Sequence, residues 1–386
     1  MKSANSTLSS YGTTIFEVMS RLAIEHNAIN LGQGFPDEDG PLDVRQTAAE
    51  KLLEGPNQYP PMMGLPELRQ AVAEHNKRFY DLDVDWQSEV MVTSGATEAL
   101  NDCLMALIEP GDEVVLIEPL YDCYLPLVRR AGGVPKLIRV TPPDWQLSKS
   151  QLQDAFSDKT KLILLNSPMN PAAKVFTKPE LELIADMLIT HDAYAVCDEV
   201  YEHIAFDAAH IPLMTLPGMR DRCVRIGSAG KSFSLTGWKV GYVTAPAHLL
   251  APIAKSHQFV TFTTPPNLQH AVAFGLRKED GYYEGLNADM RAKRDHISKG
   301  LREIGFDVVD CQGTYFVTAD FAPLGFKGDD IEFCQYLTTE IGVAAVPVSA
   351  FYQTNGPSHF VRFCFCKKYE MLDEALARLS KLKNNP

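Results

Sequence analysis

A single lysine stands among small residues in the segment RIGSAGKSFS, which spans residues 225–234. This setting fits three alternative roles for Lys231, which are a phosphate ligand, a surface charge and a nucleophile held in place by its neighbours. A P-loop of the form G-x-x-x-x-G-K-[ST] needs a glycine five residues before Gly230, but Arg225 stands there. The spacing therefore excludes a P-loop and leaves the nucleophile and the surface charge open.

Small residues also begin a predicted helix in the segment TSGATEAL. Gly95, Ala96 and Thr97 would leave backbone N–H groups and one hydroxyl free at the N-terminus of this helix. A helix N-terminus attracts anions, and phosphate is the most natural ligand. The pattern predicts a phosphate site, although an ordinary helix cap would have a similar sequence.

An aspartate follows an apolar run in the segment VCDEVYEHI. Asp198 would be poorly solvated there, and a buried carboxylate needs a cation or a hydrogen-bond donor. A metal ion or the protonated ring nitrogen of a heterocyclic cofactor would serve, but without a P-loop the metal lacks its usual context. Tyr201 lies three residues later and would bring a phenol to the same ligand. Asn170, in NSPMNP, offers an amide nearby or is a turn residue.

An arginine interrupts an apolar strand in the segment HFVRFCF. Buried Arg362 must be neutralised, and its planar fork matches either the carboxylate of a substrate or that of a structural salt bridge. Tyr121, in LYDCY, offers a ring for stacking on a flat ligand or for packing in the core. Cys364 and Cys366 share one strand face, but no second pair completes a metal site. We interpret the cysteines as reduced apolar residues and predict no metal.

Short apolar runs alternate with helical patterns through the middle of the chain, which predicts an α/β fold with a mostly parallel sheet covered by helices. The runs are EVMVTSG, DEVVLIEP, TKLILLNSP, AYAVCDEVY, CVRIGSAGK and WKVGYVTAP. Five of them end in polar groups, and ligands of open α/β sheets bind at the carboxyl ends of the strands. The sequence therefore predicts that five loops meet at one crevice.

The C-terminal part of the chain has a different pattern. A long helical segment, NADMRAKRDHISKGLREIGF, precedes the predicted strands GTYFVTADF, GVAAVPVSAF and HFVRFCF. We expect a smaller α+β domain there. We divide the chain into an N-terminal arm with part of the small domain (1–45), a large domain (46–285) and the rest of the small domain (286–386).

Charge and composition narrow the class of protein. The net charge of -13 argues against nucleic acid or an anionic membrane as a partner. No apolar run is long enough to span a membrane, and the first residues lack the apolar core of a signal peptide. We therefore expect a cytoplasmic protein that acts on a small molecule.

Pyridoxal phosphate requires the same set of groups: a phosphate site, a buried acid, a phenol, an amide, a stacking ring, a lysine and a clamp for the substrate's carboxylate. The chain resembles class I aminotransferases of the fold-type I pyridoxal-phosphate enzymes over nearly its full length. The resemblance is carried by NLGQGFPDEDGP, NQYPPMMGLPELR, GATEAL, NSPMNP, CDEVYEHIAF, SAGKSFSLTGWKVGY, GTYF and VRFCF. The segments YGTTIFEVMSRLAIEHNAINLGQGFPD and GVAAVPVSAF most resemble methionine aminotransferases, followed by the kynurenine aminotransferase and glutamine transaminase group.

This resemblance implies a seven-stranded sheet in the large domain and a role for each candidate residue. Lys231 would bind the cofactor covalently and then move the substrate's proton. Asp198 would pair with the pyridine nitrogen, Tyr201 and Asn170 with the phenolic oxygen, and Tyr121 would stack on the ring.

The resemblance also assigns residues to the phosphate and to the substrate. The phosphate would contact Gly95, Ala96, Thr97, Ser228 and Lys239, together with Tyr59 of the partner subunit in a homodimer. Arg362 would hold the substrate's α-carboxylate with help from Asn170 and the backbone at Gly34. Apolar residues near the substrate would be Phe16, Met62, Phe262 and Phe351.

Three positions depart from the family pattern. Lys239 stands where many members have arginine, Gly230 where serine is frequent, and Ala173 where the N-P-x-G turn has glycine. The arginine-to-lysine difference keeps the charge but loses the planar fork. These departures bear on cofactor affinity and on the turn at Ala173.

The activity implied is ping-pong transfer of an α-amino group to a 2-oxo acid. The sequence offers no second arginine for a side-chain carboxylate, so we expect large neutral side chains, with methionine first and aromatic amino acids or glutamine next. Alternatives are a β-lyase acting on sulfur-containing amino acids, a kynurenine transaminase, and a non-catalytic binding or regulatory relative.

Overall fold

The computed structural model describes residues 2–384. Its strands are β1 (Ile29–Asn30), β2 (Val90–Thr93), β3 (Glu113–Glu118), β4 (Val134–Arg139), β5 (Thr160–Asn166), β6 (Tyr194–Asp198), β7 (Cys223–Ser228), β8 (Gly241–Thr244), β9 (Asp307–Val308), β10 (Phe316–Asp320), β11 (Val343–Ala344), β12 (Val346–Pro347) and β13 (Phe360–Cys364). Its helices are α1 (Ser6–Ser9), α2 (Ile15–Glu25), α3 (Leu42–Glu54), α4 (Pro66–Tyr80), α5 (Trp86–Glu89), α6 (Gly95–Leu107), α7 (Tyr124–Arg130), α8 (Lys149–Ala155), α9 (Lys178–Thr190), α10 (Ala229–Ser232), α11 (Ala247–Val260), α12 (Pro266–Leu276), α13 (Asp280–Ile304), α14 (Asp330–Tyr336) and α15 (Tyr369–Leu379).

The predicted mostly parallel sheet is confirmed. It has seven strands in the order β2-β8-β7-β6-β5-β3-β4. Strands β3 to β7 run parallel, whereas β8 is antiparallel to both of its neighbours. Helices α6 and α11 pack on one face, and α8 and α9 pack on the other. Because both faces are covered, β6 and β7 are almost entirely buried, which explains their continuous apolar sequences.

A second sheet lies in the C-terminal part of the chain. Strands β12-β13-β10-β9 form an antiparallel sheet, while β1 pairs in parallel with β11. The segment GVAAVPVSAF is less regular than predicted, because β11 and β12 are two-residue strands and a 3-10 turn follows from Val348 to Phe351. The domain boundaries at 45 and 285 stay a prediction. Among helices within residues 2–384, none combines the length and apolar character needed to cross a lipid bilayer.

A buried ionic cluster lies behind the carboxyl end of β6. Arg225 Nε donates to Glu199 Oε2 at 2.6 Å, and its Nη2 donates to Glu202 Oε2 at 3.0 Å. The guanidinium also donates to the Asn76 side chain and lies over the ring of Tyr80. Burial raises the pKa of Glu199, but Arg225 and His210, through their charges and hydrogen bonds, together outweigh burial and lower that pKa. The cluster therefore holds the backbone that follows Asp198.

Removal of Arg225 tests this cluster. We expect Arg225→Met to lower the free energy of unfolding by about 3–5 kcal/mol at neutral pH, because two buried carboxylates lose their cation. The pKa of Glu199 is lowered in the fold, so this stabilisation is present above the unfolded pKa of about 4.3 and lost as pH falls through the folded pKa. The difference between variant and wild type should therefore shrink in acid. Chemical denaturation at several pH values measures it.

A matched control is Arg222→Met, which breaks a pair with Asp192, an aspartate whose side chain is 88% exposed. We expect this change to cost less than about 1 kcal/mol. An equal cost for the two variants would contradict the role assigned to the cluster.

Candidate active site

A cavity of about 550 Å³ lies at the carboxyl ends of the parallel strands. It is lined by most of the residues predicted from the sequence, which are Phe16, Gly34, Gly95, Ala96, Thr97, Tyr121, Asn170, Asp198, Tyr201, Ser228, Lys231, Lys239 and Arg362. These residues come from α2, from the segment after β1, from the carboxyl ends of five strands of the large sheet or the segments after them, and from β13. The structure therefore brings the predicted loops together at one place.

Lys231 lies on α10, directly after β7, with its side chain in the cavity. Its Nζ donates to Tyr315 Oη at 2.7 Å, and Tyr315 Oη donates in turn to the backbone oxygen of Gly34 at 2.7 Å. Burial lowers the pKa of Lys231, which raises the fraction of neutral, nucleophilic amine. A Cβ at Gly230 would lie 3.0 Å from Thr236 Cα, so the tight turn that presents the lysine favours a small residue there.

Asp198 ends β6 and is 5% exposed. Tyr124 Oη donates to Asp198 Oδ2 at 2.6 Å, and the Val200 N–H donates to Oδ1 at 3.5 Å. Burial raises the pKa of Asp198, and the Tyr124 hydroxyl opposes this shift. The long contact at Oδ1 leaves that oxygen able to accept from a protonated ring nitrogen.

The N-terminus of α6 has the character of an anion site. The Ser94 side chain makes no capping hydrogen bond, so the ordinary helix-cap interpretation is not realised. Gly95 has a φ of +79°, and a Cβ there would lie 3.3 Å from Lys239 Nζ. The first turn of α6 and the Lys239 ammonium therefore lie side by side, and Ser228 lines the same cavity from the end of β7.

Arg362 is 1% exposed and has no carboxylate within 4.0 Å among the described residues, so a structural salt bridge is excluded there. Its Nη1 donates to Asn170 Oδ1 at 2.7 Å and its Nη2 to the Gly32 backbone oxygen at 2.7 Å. Its Nε is buried without a partner. The guanidinium lies 3.9 Å from the ring centroid of Phe316, which also lines the cavity. A buried cation without a counter-ion beside a cavity favours binding of an anionic ligand.

Tyr201 lies beside the lysine and is 4% exposed. Lys231 Nζ is 5.5 Å from the centroid of its ring, and the Tyr315 ring packs against it edge-on. Burial raises the pKa of Tyr201 well above its usual value, so the phenol remains a hydrogen-bond donor. Tyr121 also lines the cavity, where its ring contacts that of Tyr124.

Tyr59, Met62, Phe262 and Phe351 do not line the cavity of this chain. Tyr59 is 82% exposed, and its ring contacts Phe262. Phe351 instead packs on Phe16 and on Arg362. The roles of Tyr59 and Phe262 stay predictions that involve a second subunit or another surface of the site.

Sequence reasoning missed Tyr124, Tyr315 and Asp122. Tyr124 lies three residues after Tyr121 in the same segment, and a tyrosine that follows a strand end was the available signal. Tyr315 belongs to the GTYF segment, but its contact with Lys231 joins residues 84 positions apart. Asp122 lines the cavity with a carboxylate.

The turn at Ala173 differs from expectation. Alanine replaces the usual glycine, yet its φ is +57°, the left-handed conformation that glycine adopts easily. The Ala173 N–H donates to the Met169 backbone oxygen at 2.7 Å. The chain therefore retains a left-handed turn with alanine at this position.

Comparison with known proteins places this site in context. Residues 26–379 match the family described as aminotransferase class I and II. The chain is 41% identical to methionine aminotransferase of Escherichia coli over 98% of each chain, and 38% identical to the kynurenine–oxoglutarate transaminase of Dictyostelium discoideum over 97% of this chain and 95% of that one. The structure of N-succinyldiaminopimelate aminotransferase from Mycobacterium tuberculosis superposes with a TM-score of 0.96, at 43% identity, over 98% of this chain and 100% of that one.

The contact of Tyr124 with Asp198 generates a prediction. We expect Tyr124→Phe to weaken binding of pyridoxal phosphate about tenfold or more, because a buried carboxylate loses its best donor and its pKa rises further. Since the protonated acid cannot neutralise a ring cation, the loss should be greater at lower pH. Equilibrium dialysis with absorbance detection measures the affinity.

Tyr11→Phe is the matched control, because Tyr11 Oη accepts from Arg129 outside the cavity. We expect it to bind the cofactor as the wild type does. A folded Tyr124→Phe protein with unchanged affinity would show that the hydroxyl does not support Asp198.

Proposed function

This chain belongs to the class I and II aminotransferases, which depend on pyridoxal phosphate, and on that premise we propose that its amino donor is a neutral amino acid with a large side chain. Methionine is the first candidate, followed by aromatic amino acids and glutamine. The acceptor is a 2-oxo acid. We further propose that the enzyme works as a cytoplasmic homodimer.

The residues of the cavity fit the cofactor. An uncapped helix N-terminus beside Lys239 suits its phosphate, Asp198 Oδ1 suits its ring nitrogen, and Lys231 has a lowered pKa. Tyr201 and Asn170 are the donors that would meet its phenolic oxygen. When bound, pyridoxal phosphate supplies an electron-withdrawing ring that stabilises the carbanion left when an amino acid loses its Cα proton.

The protein's own residues bind the substrate and move the proton. Arg362 binds the α-carboxylate, and Asn170 and Gly32 hold the guanidinium in one orientation. Lys231 Nζ takes the proton from Cα and returns it during the same half-reaction. Tyr315, held by Gly34, positions that amine.

The proposed substrate specificity rests on the charged residues that line the cavity. Among the described residues, the cations that line it are Lys231, Lys239 and Arg362, and each already has a role. Asp122 lines the same cavity and would repel a second carboxylate on the substrate. The rings of Phe16 and Phe316 offer apolar contacts instead. A neutral side chain fits this arrangement better than an acidic one.

The proposed homodimer has support from exposed apolar residues. Phe259 is 80% exposed and Tyr59 is 82% exposed, and the Tyr59 ring contacts Phe262 without lining the cavity of its own chain. Large exposed aromatic residues favour a protein interface. We propose that Tyr59 reaches the phosphate in the partner's site.

A substrate panel tests the specificity. We expect single-turnover consumption of the cofactor's aldehyde form to be fastest with methionine, with aspartate slower by at least about tenfold. N-succinyldiaminopimelate should also be slow, because its distal carboxylates would meet Asp122 and no free cation. Either acidic substrate outrunning methionine would overturn the proposal. Pyruvate and ammonia formed without an acceptor would instead identify a β-lyase.

Tyr315 supplies a second test. We expect Tyr315→Phe to lower kcat about tenfold with little change in KM, because Lys231 loses the hydroxyl that orients it for proton transfer. The kinetic isotope effect with Cα-deuterated methionine should rise. Tyr282→Phe is the control, since Tyr282 Oη donates to the Ser232 backbone oxygen outside the cavity. A rise in KM alone would assign Tyr315 to substrate binding instead.

A further inference from the structure

Two thiols face each other beside the cavity. Cys364 Sγ and Cys366 Sγ lie 3.2 Å apart, and the residues are 0% and 2% exposed. Strand β13 ends at Cys364, so Cys366 is outside the regular ladder. The transamination described above uses neither thiol.

The pair lies on the face of the strand that carries the carboxylate-binding arginine. Arg362, Cys364 and Cys366 alternate along the chain, so their side chains share one side, and Arg362 lines the cavity. Cys364 pairs in register with Phe316, which also lines it. A charge on either thiol acts on the pKa of Lys231, so both lie within electrostatic reach of its amine. Among the described residues, neither thiol lines the cavity itself, but their neighbours Arg362 and Phe316 do.

The two thiols differ in acidity. Burial raises the pKa of Cys364, but the thiol of Cys366 and the charges of Lys367 and Arg362 lower it to about 7. Burial and the neighbouring sulfur raise the pKa of Cys366 well above its usual value. We therefore assign Cys364 as the nucleophile, and the 3.2 Å contact, in which either sulfur can be the donor, makes Cys366 its partner in reversible oxidation.

We propose that Cys364 and Cys366 form an oxidisable dithiol, which a hydroperoxide converts to a disulfide that weakens substrate binding at Arg362. With hydrogen peroxide, the Cys364 thiolate attacks one oxygen; the S–O bond forms, the O–O bond breaks, and the hydroxide that leaves takes up the proton that Cys364 released on ionising, which gives water. The Cys366 sulfur then attacks the Cys364 sulfur; the S–S bond forms, the S–O bond breaks, and hydroxide leaves with the Cys366 proton as water. Two thiols together lose two electrons, and one hydrogen peroxide is reduced to two water molecules.

Formation of the disulfide would shift the backbone that holds Arg362 in place. A disulfide requires Cβ atoms about 3.5–4.5 Å apart, so the extended segment between the two residues must contract. Its backbone bonds go to Leu31, Tyr315 and Asp37. Leu31 is followed by Gly32, whose backbone oxygen accepts a hydrogen bond from Arg362. The effect on activity rests on the proposed role of Arg362, whereas formation of the disulfide does not.

The test oxidises the holoenzyme with equimolar hydrogen peroxide. Trypsin releases both thiols in one peptide, residues 363–367, which should lose two hydrogen masses. We expect kcat/KM for methionine to fall about tenfold and to recover with dithiothreitol. Cys197 and Cys223, a buried pair in the core on the other face of the large sheet, serve as the internal control and should stay reduced.

Cys366→Val removes the second thiol and should keep wild-type activity at the same dose of peroxide, because the pKa of Cys364 rises without its donor. Absence of the disulfide in the wild-type peptide, or sulfinic acid at Cys364 in its place, overturns the proposed site. A disulfide that leaves kcat/KM unchanged overturns its coupling to Arg362. The peptide masses of the wild type decide the first point even if the variant does not fold.

Discussion

The site depends on one buried arginine that has no carboxylate within 4.0 Å in the part of the chain that the structure describes. Arg362 lies on β13, and its guanidinium donates to Asn170 after β5 and to Gly32 in the N-terminal segment. Burial lowers its pKa, which reflects the free energy spent in removing the charge from water. Because those two acceptors come from distant parts of the sequence, the cation joins three segments over the ends of the parallel strands. Its unpartnered Nε leaves capacity for an anionic ligand.

A second buried charge organises the other side of the same region. Arg225 holds Glu199 and Glu202 by hydrogen bonds, and these three residues do not line the cavity. The residues between and beside these acids, Asp198 and Tyr201, line the cavity. One short segment is therefore fixed by ionic contacts on one side and presents its acid and phenol on the other. This arrangement explains why a segment so rich in charge follows a strand that is apolar up to Asp198.

The sequence predicted the large sheet and the loops of the site well, because buried parallel strands leave continuous apolar runs and the cavity lies at their ends. It did not predict Tyr124 or Tyr315. An isolated tyrosine resembles a core residue, and the partners that give these two a role, Asp198 and Lys231, come from other segments. The breaks in GVAAVPVSAF were also missed, since its composition is that of a strand throughout. The structure of one chain does not test the roles predicted for Tyr59 and Phe262, because neither residue lines its cavity.

Similarity to known aminotransferases does not determine which side chain the amino acid substrate carries. Relatives named for methionine, for kynurenine and for N-succinyldiaminopimelate are similar to this chain at 38–43% identity, and the last of them superposes at a TM-score of 0.96. A fold shared so closely cannot by itself distinguish their substrates. The distinction must lie in the side chains around the distal part of the substrate, and our proposal assigns it, within this chain, to Phe16, Phe316 and Asp122, which line the cavity. Because a carboxylate discriminates charge more strongly than an apolar wall discriminates shape, the exclusion of acidic substrates that we propose rests on Asp122.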